Sequence, residues 1–166
     1  LTAATEDGTS SYLLILWLES GEVLHDKLIF TSEDVEPLGG FGINTYATPS
    51  PVSDGKYVYL HYGTYGTACI DPQTAEVLWL RRDINCRHYR GPASSPVLYG
   101  DLLILTMDGI DHQYVTALNK DTGKTVWKTG RTTDFEDLLD GVPKREGDRR
   151  KGYNTPLATT PNGKDQ

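Results

Sequence analysis

The densest run of chemically versatile side chains is RDINCRHYRG at residues 82–91. His88 can exchange a proton near neutral pH, and Arg87 and Arg90 can grip a carboxylate or phosphate through two parallel hydrogen bonds. Cys86, between cationic neighbours, could ionise to a thiolate. The default reading of the same residues is structural, because arginines and histidines in loops commonly satisfy backbone carbonyls. Two further groups carry similar chemistry: His61 with Tyr65, and Asp108, Asp111 and His112 in MDGIDHQY. The two aspartates are spaced as in a calcium loop, but the remaining ligands of such a loop are missing. No metal site and no catalytic residue are assigned. Two cysteines, Cys69 and Cys86, are too few for a disulfide framework or a zinc site. Cys69 is expected to pack as a small apolar side chain.

These residues must be held by something, and the chain repeats itself in a way that says what. Residues 116–127, TALNKDTGKTVW, read as strand, turn and strand, with Gly123 supplying the φ > 0 position of a tight turn. Residues 68–79, ACIDPQTAEVLW, repeat the pattern 48 positions earlier. A weaker copy, LILWLESGEVLH, ends on His25 where the other two end on Trp79 and Trp127. A second element recurs as Ser50-Pro51-Val52, Ser95-Pro96-Val97 and Thr155-Pro156-Leu157. Periods of roughly 40–50 residues with four short strands each predict propeller blades. The expected organisation is all-β: a piece of a β-propeller with two complete four-stranded antiparallel blades and partial blades at both ends. The blades span 46–81 and 91–130, with partial blades at 12–30 and 153–166. Residues 1–11 are expected to be loop. Tyr57–Tyr62 alternates as in a sheet with two different faces.

Residues 131–152 form a charged insertion, acidic at Asp134, Glu136, Asp137 and Asp140, then basic from Lys144 to Lys151. A charge run of this kind reads as a solvated loop, although its two halves could pair.

Ala117, Thr122, Gly123 and Trp127, with Thr74 and Trp79 in the earlier copy, resemble the tryptophan-docking motif of quinoprotein-like β-propellers, the pyrroloquinoline quinone repeat family. Asn119 replaces the motif's aspartate, and Cys69 and Ala75 also depart from it. The resemblance implies that Trp79 and Trp127 pack between neighbouring blades. It also implies an extracytoplasmic, bacterial-like protein, and two functions. One is a non-catalytic scaffold presenting loops to a protein or small ligand, with no cofactor. The other is a quinone-dependent dehydrogenase, with calcium, pyrroloquinoline quinone and its catalytic blades outside this chain. The sensor domain of a larger receptor or kinase is a third, weaker reading.

Strand connectivity places the loops at 61–67, 82–91 and 107–114 on one end of the blades. The expected binding set is therefore His61, Tyr65, Arg87, His88, Arg90, Asp111 and His112, with the two histidines and an arginine facing a shared concave surface. The net charge of −7 argues against a phosphate-tracking nucleic-acid surface. No apolar run is long enough for a membrane-spanning helix.

Overall fold

In the computed structural model, which describes residues 1–39 and 44–160, three antiparallel sheets follow one another along the chain. The first holds β1 (Thr2–Ala4), β2 (Ser10–Leu16) and β3 (Val23–Thr31). The second holds β4 (Val52–Ser53), β5 (Val58–His61), β6 (Thr67–Ile70) and β7 (Val77–Arg81). The third holds β8 (Val97–Tyr99), β9 (Leu102–Asp108), β10 (Gln113–Asn119) and β11 (Thr125–Gly130). Strands adjacent in sequence are adjacent in space, which is the meander of a propeller blade. The expected loop at the N-terminus is corrected: Thr2–Ala4 pairs with Ser11–Leu13, so the first sheet has three strands. The expected continuation of the next blade beyond Thr160 lies outside the described residues.

The alternation of β5 does not separate a wet face from a dry one, because neighbouring sheets bury both. Leu60, Tyr62, Ala68 and Ile70 pack against Leu13, Phe30 and Tyr46 of the first sheet and its following connection. Tyr59 and Cys69 pack against Leu103, Leu105, Met107 and Leu118 of the third. Burying one such aliphatic or aromatic side chain is worth about 1.5–3 kcal/mol, so the stacked sheets carry most of the stability. Cys69 sits in this core as a small apolar group, and burial pushes its thiol up to about 11.

The repeat is visible atom by atom in the outer hairpins. Each breaks register at the same place, after Ile15, Cys69 and Ala117. Each closes with the same bond: Trp17 N–H donates to Glu22 O, Asp71 N–H to Glu76 O, and Asn119 N–H to Lys124 O, at 2.8–2.9 Å. Polar side chains fix the last two turns. Asp71 Oδ1 accepts from the backbone N–H of Gln73 and Thr74, and Asn119 Oδ1 from the N–H and hydroxyl of Thr122. Asn119 therefore replaces the aspartate of the motif without loss of its acceptor.

Each of these last two turns receives the outer strand of the preceding sheet. Trp79 Nε1 donates to Lys120 O at 2.8 Å, and Arg81 Nη1 donates to Gly123 O at 2.6 Å. One sheet earlier, His25 Nε2 lies 3.1 Å from Gln73 O, and Lys27 Nζ donates to Ala75 O. Ala117 is fully buried beside Trp127, yet Trp127 itself is 38% exposed. Trp79 packs against the core between the second and third sheets, and Trp127 does not pack between sheets among the described residues. No turn stands opposite Trp127 among the described residues.

The inner strands are tied by a second ladder. Ser95 Oγ accepts from Ser50 N–H at 2.9 Å, and Thr155 Oγ1 accepts from Ser95 N–H at 3.3 Å.

Most of the charged insertion is exposed, as expected, but it is more than a loop, and its halves pair with each other and with the body. It forms a small hairpin, β12 (Leu138–Leu139) and β13 (Val142–Pro143), followed by a 3-10 helix at Lys144–Arg150. The guanidinium of Arg150 grips the buried Asp137 carboxylate at 2.8–2.9 Å.

Candidate functional site

The loops expected on one end do meet there, and the side chains divide into an open groove and an enclosed cluster behind it. The groove has a volume of about 770 Å3 and is lined by Thr31–Asp34 on one side and Arg87, Asp111 and His112 on the other. Its lining also includes Thr64, Tyr65, Arg82, Asn85 and Cys86. The 3-10 turn Gly63–Tyr65 shapes one part of it, since Gly63 takes φ +60 and an added Cβ there would lie 2.5 Å from His88 Nε2. Thr64 Oγ1 and the Asn85 side-chain amide lie 3.1 Å apart.

Asp111 is the organiser of this groove. Its Oδ1 accepts from the backbone N–H groups of Arg87 and His112, both at 2.7 Å. Against the opposing pull of burial, these bonds hold its carboxyl below the usual range. Arg87 O in turn accepts from Ile110 N–H, so the 82–91 and 107–114 loops are sewn together. The Arg87 guanidinium turns away to Glu36 at 2.5 Å, and Arg90 pairs with Asp148 at 2.9 Å. Tyr65 is buried edge-on against Tyr46, and burial pushes its phenol up to about 12.

Behind the groove, His61 and His88 line a cavity of about 10 Å3 together with Ser94, Thr106, Asp108 and Lys151, room for about one water molecule. His61 Nδ1 lies 2.9 Å from Thr67 Oγ1, and burial drives the ring down to about 4. His88 Nε2 accepts from Thr64 N–H at 3.2 Å and lies 3.4 Å from Cys86 Sγ. Burial, with help from Lys151 and His61, lowers this imidazole to about 3. Burial pushes the Cys86 thiol up to about 12. The pair is therefore a neutral thiol beside a neutral imidazole at pH 7, the reverse of an activated cysteine. Arg131 Nη2 forms an ion pair with Asp108 Oδ2 at 2.6 Å, but the carboxylate is otherwise enclosed, the residue being 3% exposed. Burial accordingly wins and raises the Asp108 carboxyl above its usual range.

The structure thus brings Tyr65, Arg87, Asp111 and His112 around the groove and places His61 and His88 elsewhere. The expected concave surface shared by both histidines and an arginine does not form, because Glu36 and Asp148 draw Arg87 and Arg90 outward while the imidazoles are buried. Sequence reasoning missed Glu36, whereas Arg82, Thr64 and Asn85 fall within the expected loops 61–67 and 82–91 without having been singled out as binding residues. Glu36 carried a faint signal as one of the few charged residues in the turn-rich 31–45 connection. Among the described residues, no three His, Cys, Asp or Glu side chains converge as a metal-binding set. No helix among them is long and apolar enough to cross a membrane.

No protein-family model matches the chain, and no curated protein sequence matches it. Solved structures do. A quinohemoprotein alcohol dehydrogenase, ADHIIG from Pseudomonas putida HK5, superposes with a TM-score of 0.54 at 14% identity, over 84% of this chain and 21% of that one. BamB from Moraxella catarrhalis aligns at 16% identity with a TM-score of 0.46, over 77% of this chain and 35% of its own. A europium-containing methanol dehydrogenase aligns at 15% identity with a TM-score of 0.48, over 81% and 25%. Together with the sheets described above, the first likeness establishes the fold: a β-propeller of the quinoprotein type. The chain spans about a third of the BamB structure and about a fifth of the dehydrogenase.

Proposed function

We propose that this chain is part of a non-catalytic, extracytoplasmic propeller scaffold that binds a protein partner in the groove between the 31–34, 64–65 and 82–87 segments. The observation that carries this reading is the state of the reactive groups. The candidate nucleophile and base, Cys86 and His88, are buried and neutral, and Asp111 is consumed by backbone N–H groups. What the groove offers a visitor is instead hydroxyl, amide and exposed imidazole groups, with the carboxylates of Glu33 and Asp34 and the guanidiniums of Arg82 and Arg87, on loops, the usual material of recognition. The Trp79–Lys120 and Arg81–Gly123 bonds act in this reading as the docking device that keeps the rim rigid.

The test uses a displayed random-peptide library and, separately, pyrroloquinoline quinone with calcium as probes. Peptide binding that weakens at least tenfold in His112→Ala and Thr64→Ala, with unchanged melting temperature, supports the scaffold. Stoichiometric binding of quinone and calcium, by this chain or by it together with the blades that complete the propeller, would overturn it in favour of a dehydrogenase.

A further inference from the structure

The insertion at 131–152 adds a wall to the rim that the propeller sheets do not supply. Its hairpin, β12 and β13, turns through Asp140 at φ 51 and Gly141 at φ 79, the backbone of a tight two-residue turn. Polar bonds fix where it stands. Arg150 holds Asp137 and donates to Ile110 O at 3.4 Å, and Arg90 holds Asp148. A Cβ added at Gly147 would lie 2.9 Å from Ile110 Cβ, so the 3-10 helix rests directly on the 107–114 loop. The hairpin held in this way still leaves Leu138, Leu139 and Val142 each more than half exposed.

Beside it lies a second groove of about 820 Å3, whose lining includes Leu138, Val142 and Pro143 of the hairpin with Tyr89 and Ile110. Arg87 and Asp111 line both this groove and the first, so the two meet beside the Arg87–Glu36 ion pair. Their chemistry differs. The second groove presents aliphatic and aromatic side chains. The first presents the carboxylates of Glu33, Asp34 and Asp111. Of its two guanidiniums, Arg87 is cancelled by Glu36, and Arg82 is held by Thr31 O and Ser32 Oγ at 2.6 and 3.0 Å. The balance is negative, and Glu33 and Asp34 are exposed. Such a surface draws cationic groups toward it.

We propose that one extended segment of a partner protein lies across both grooves. Its lysine or arginine side chains sit over Glu33 and Asp34, and its aliphatic side chains pack against Leu138, Val142 and Ile110. This inference rests on the scaffold reading and names the kind of partner the scaffold takes. Together the grooves exceed the roughly 300–1,000 Å3 of a small-molecule site, which favours a peptide chain as the occupant.

The test is a fluorescence-anisotropy titration of the full-length protein with a synthetic peptide, lysines and serines at one end and leucines and valines at the other. One control peptide carries glutamate for lysine, and a second has the same composition with lysines and leucines interspersed. The first peptide should bind, and each control at least tenfold more weakly. The pair Leu138→Ser and Val142→Ser, and separately the pair Glu33→Gln and Asp34→Asn, should each weaken the first peptide at least tenfold at unchanged melting temperature. The carboxylate pair should also remove most of the salt dependence of binding, and the hairpin pair should leave it in place. Equal binding of all three peptides, or binding indifferent to either pair, would overturn the proposal. So would a melting temperature lowered by the hairpin pair with no peptide bound, because another part of the protein itself would then cover the groove. Library peptides that bind through Thr64 and His112 but ignore the hairpin pair would leave the scaffold reading standing and sink this inference alone. If no peptide of any kind binds, both fall.

Discussion

The two joints between the sheets share one backbone geometry and use different side chains. At the first, His25 and Lys27 reach the carbonyls of Gln73 and Ala75; at the second, Trp79 and Arg81 reach those of Lys120 and Gly123. Both turns require a left-handed residue at the fifth position. Gly123 meets this at φ 69 without strain, and Ala75 meets it at φ 55 at a cost of about 1–2 kcal/mol. The difference lies in what covers the position. The Trp79 indole lies flat over Gly123, where a Cβ would come within 2.7 Å of the ring. A glycine is thus demanded by the tryptophan above the turn, and the turn alone tolerates alanine.

The comparison is broken most directly at the tryptophans. Trp79→Ala removes an anchored ring and strands Lys120 O, so it should cost about 3 kcal/mol, at the lower end for tryptophan truncation because the ring is only half-buried. Trp127→Ala should stay within about 0.5 kcal/mol. Urea unfolding checks both, and equal costs would show that the Trp79–Lys120 bond does not hold the sheets together.

The rim should differ from the joints by its response to acid. His61 and His88 are held below their unfolded value of 6.5, at about 4 and about 3. At pH below 6.5 the unfolded chain therefore binds more protons than the folded one. Stability is fully present above pH 6.5 and falls as pH drops toward 3, by about 3 kcal/mol from His61 alone and by more from His88. Trp79→Ala should shift this pH profile without changing its shape, whereas His61→Asn should flatten it. Melting temperatures across the acid range decide this.

Gly123→Ala comes next, at about 2 kcal/mol, from left-handed strain plus the clash with the indole. In a Trp79→Ala background the same change should fall to about 1 kcal/mol, since only the strain remains. Additive costs would show that the ring does not set the glycine requirement.

The joints were readable in the sequence and the rim was not, for a physical reason. A hairpin's turn residues, bulge and outer-strand aromatic lie within a dozen positions, and the repeat makes them recognisable even with His25 in the tryptophan's place. The first strand escaped notice because Thr2–Ala4 is only three small residues long, lies in a polar stretch and lacks the apolar alternation that marked β5. The rim depends on partners far away in the chain: Glu36 is 51 positions from Arg87, and Asp148 is 58 from Arg90. Nothing local says that these carboxylates will neutralise those guanidiniums. The insertion misled for the same reason. Its charge run reads as solvated until Asp137 is seen buried under Arg150.

The smallest effect sharpens the comparison furthest, because it asks whether one joint can be turned into the other. His25→Trp places an indole over the Asp71–Glu76 turn, where Ala75 is buried and its methyl occupies the space that Gly123 leaves to Trp79. The single change should be neutral or destabilising by about 1 kcal/mol, from overpacking against that methyl. Ala75→Gly alone should be near neutral. It relieves left-handed strain but deletes a buried methyl and loosens the unfolded chain, opposing effects of about 1 kcal/mol each. Combined, the two changes rebuild the second joint at the first: the indole lies flat, its N–H reaches Pro72 O, the counterpart of Lys120 O, and Lys27 keeps its bond to the carbonyl of residue 75. The double variant should then exceed the sum of the singles by about 1 kcal/mol, a coupling expected only for residues in direct contact. A double-mutant cycle by urea unfolding measures it, and a coupling near zero would mean that shape at this position is not what pairs a tryptophan with a glycine.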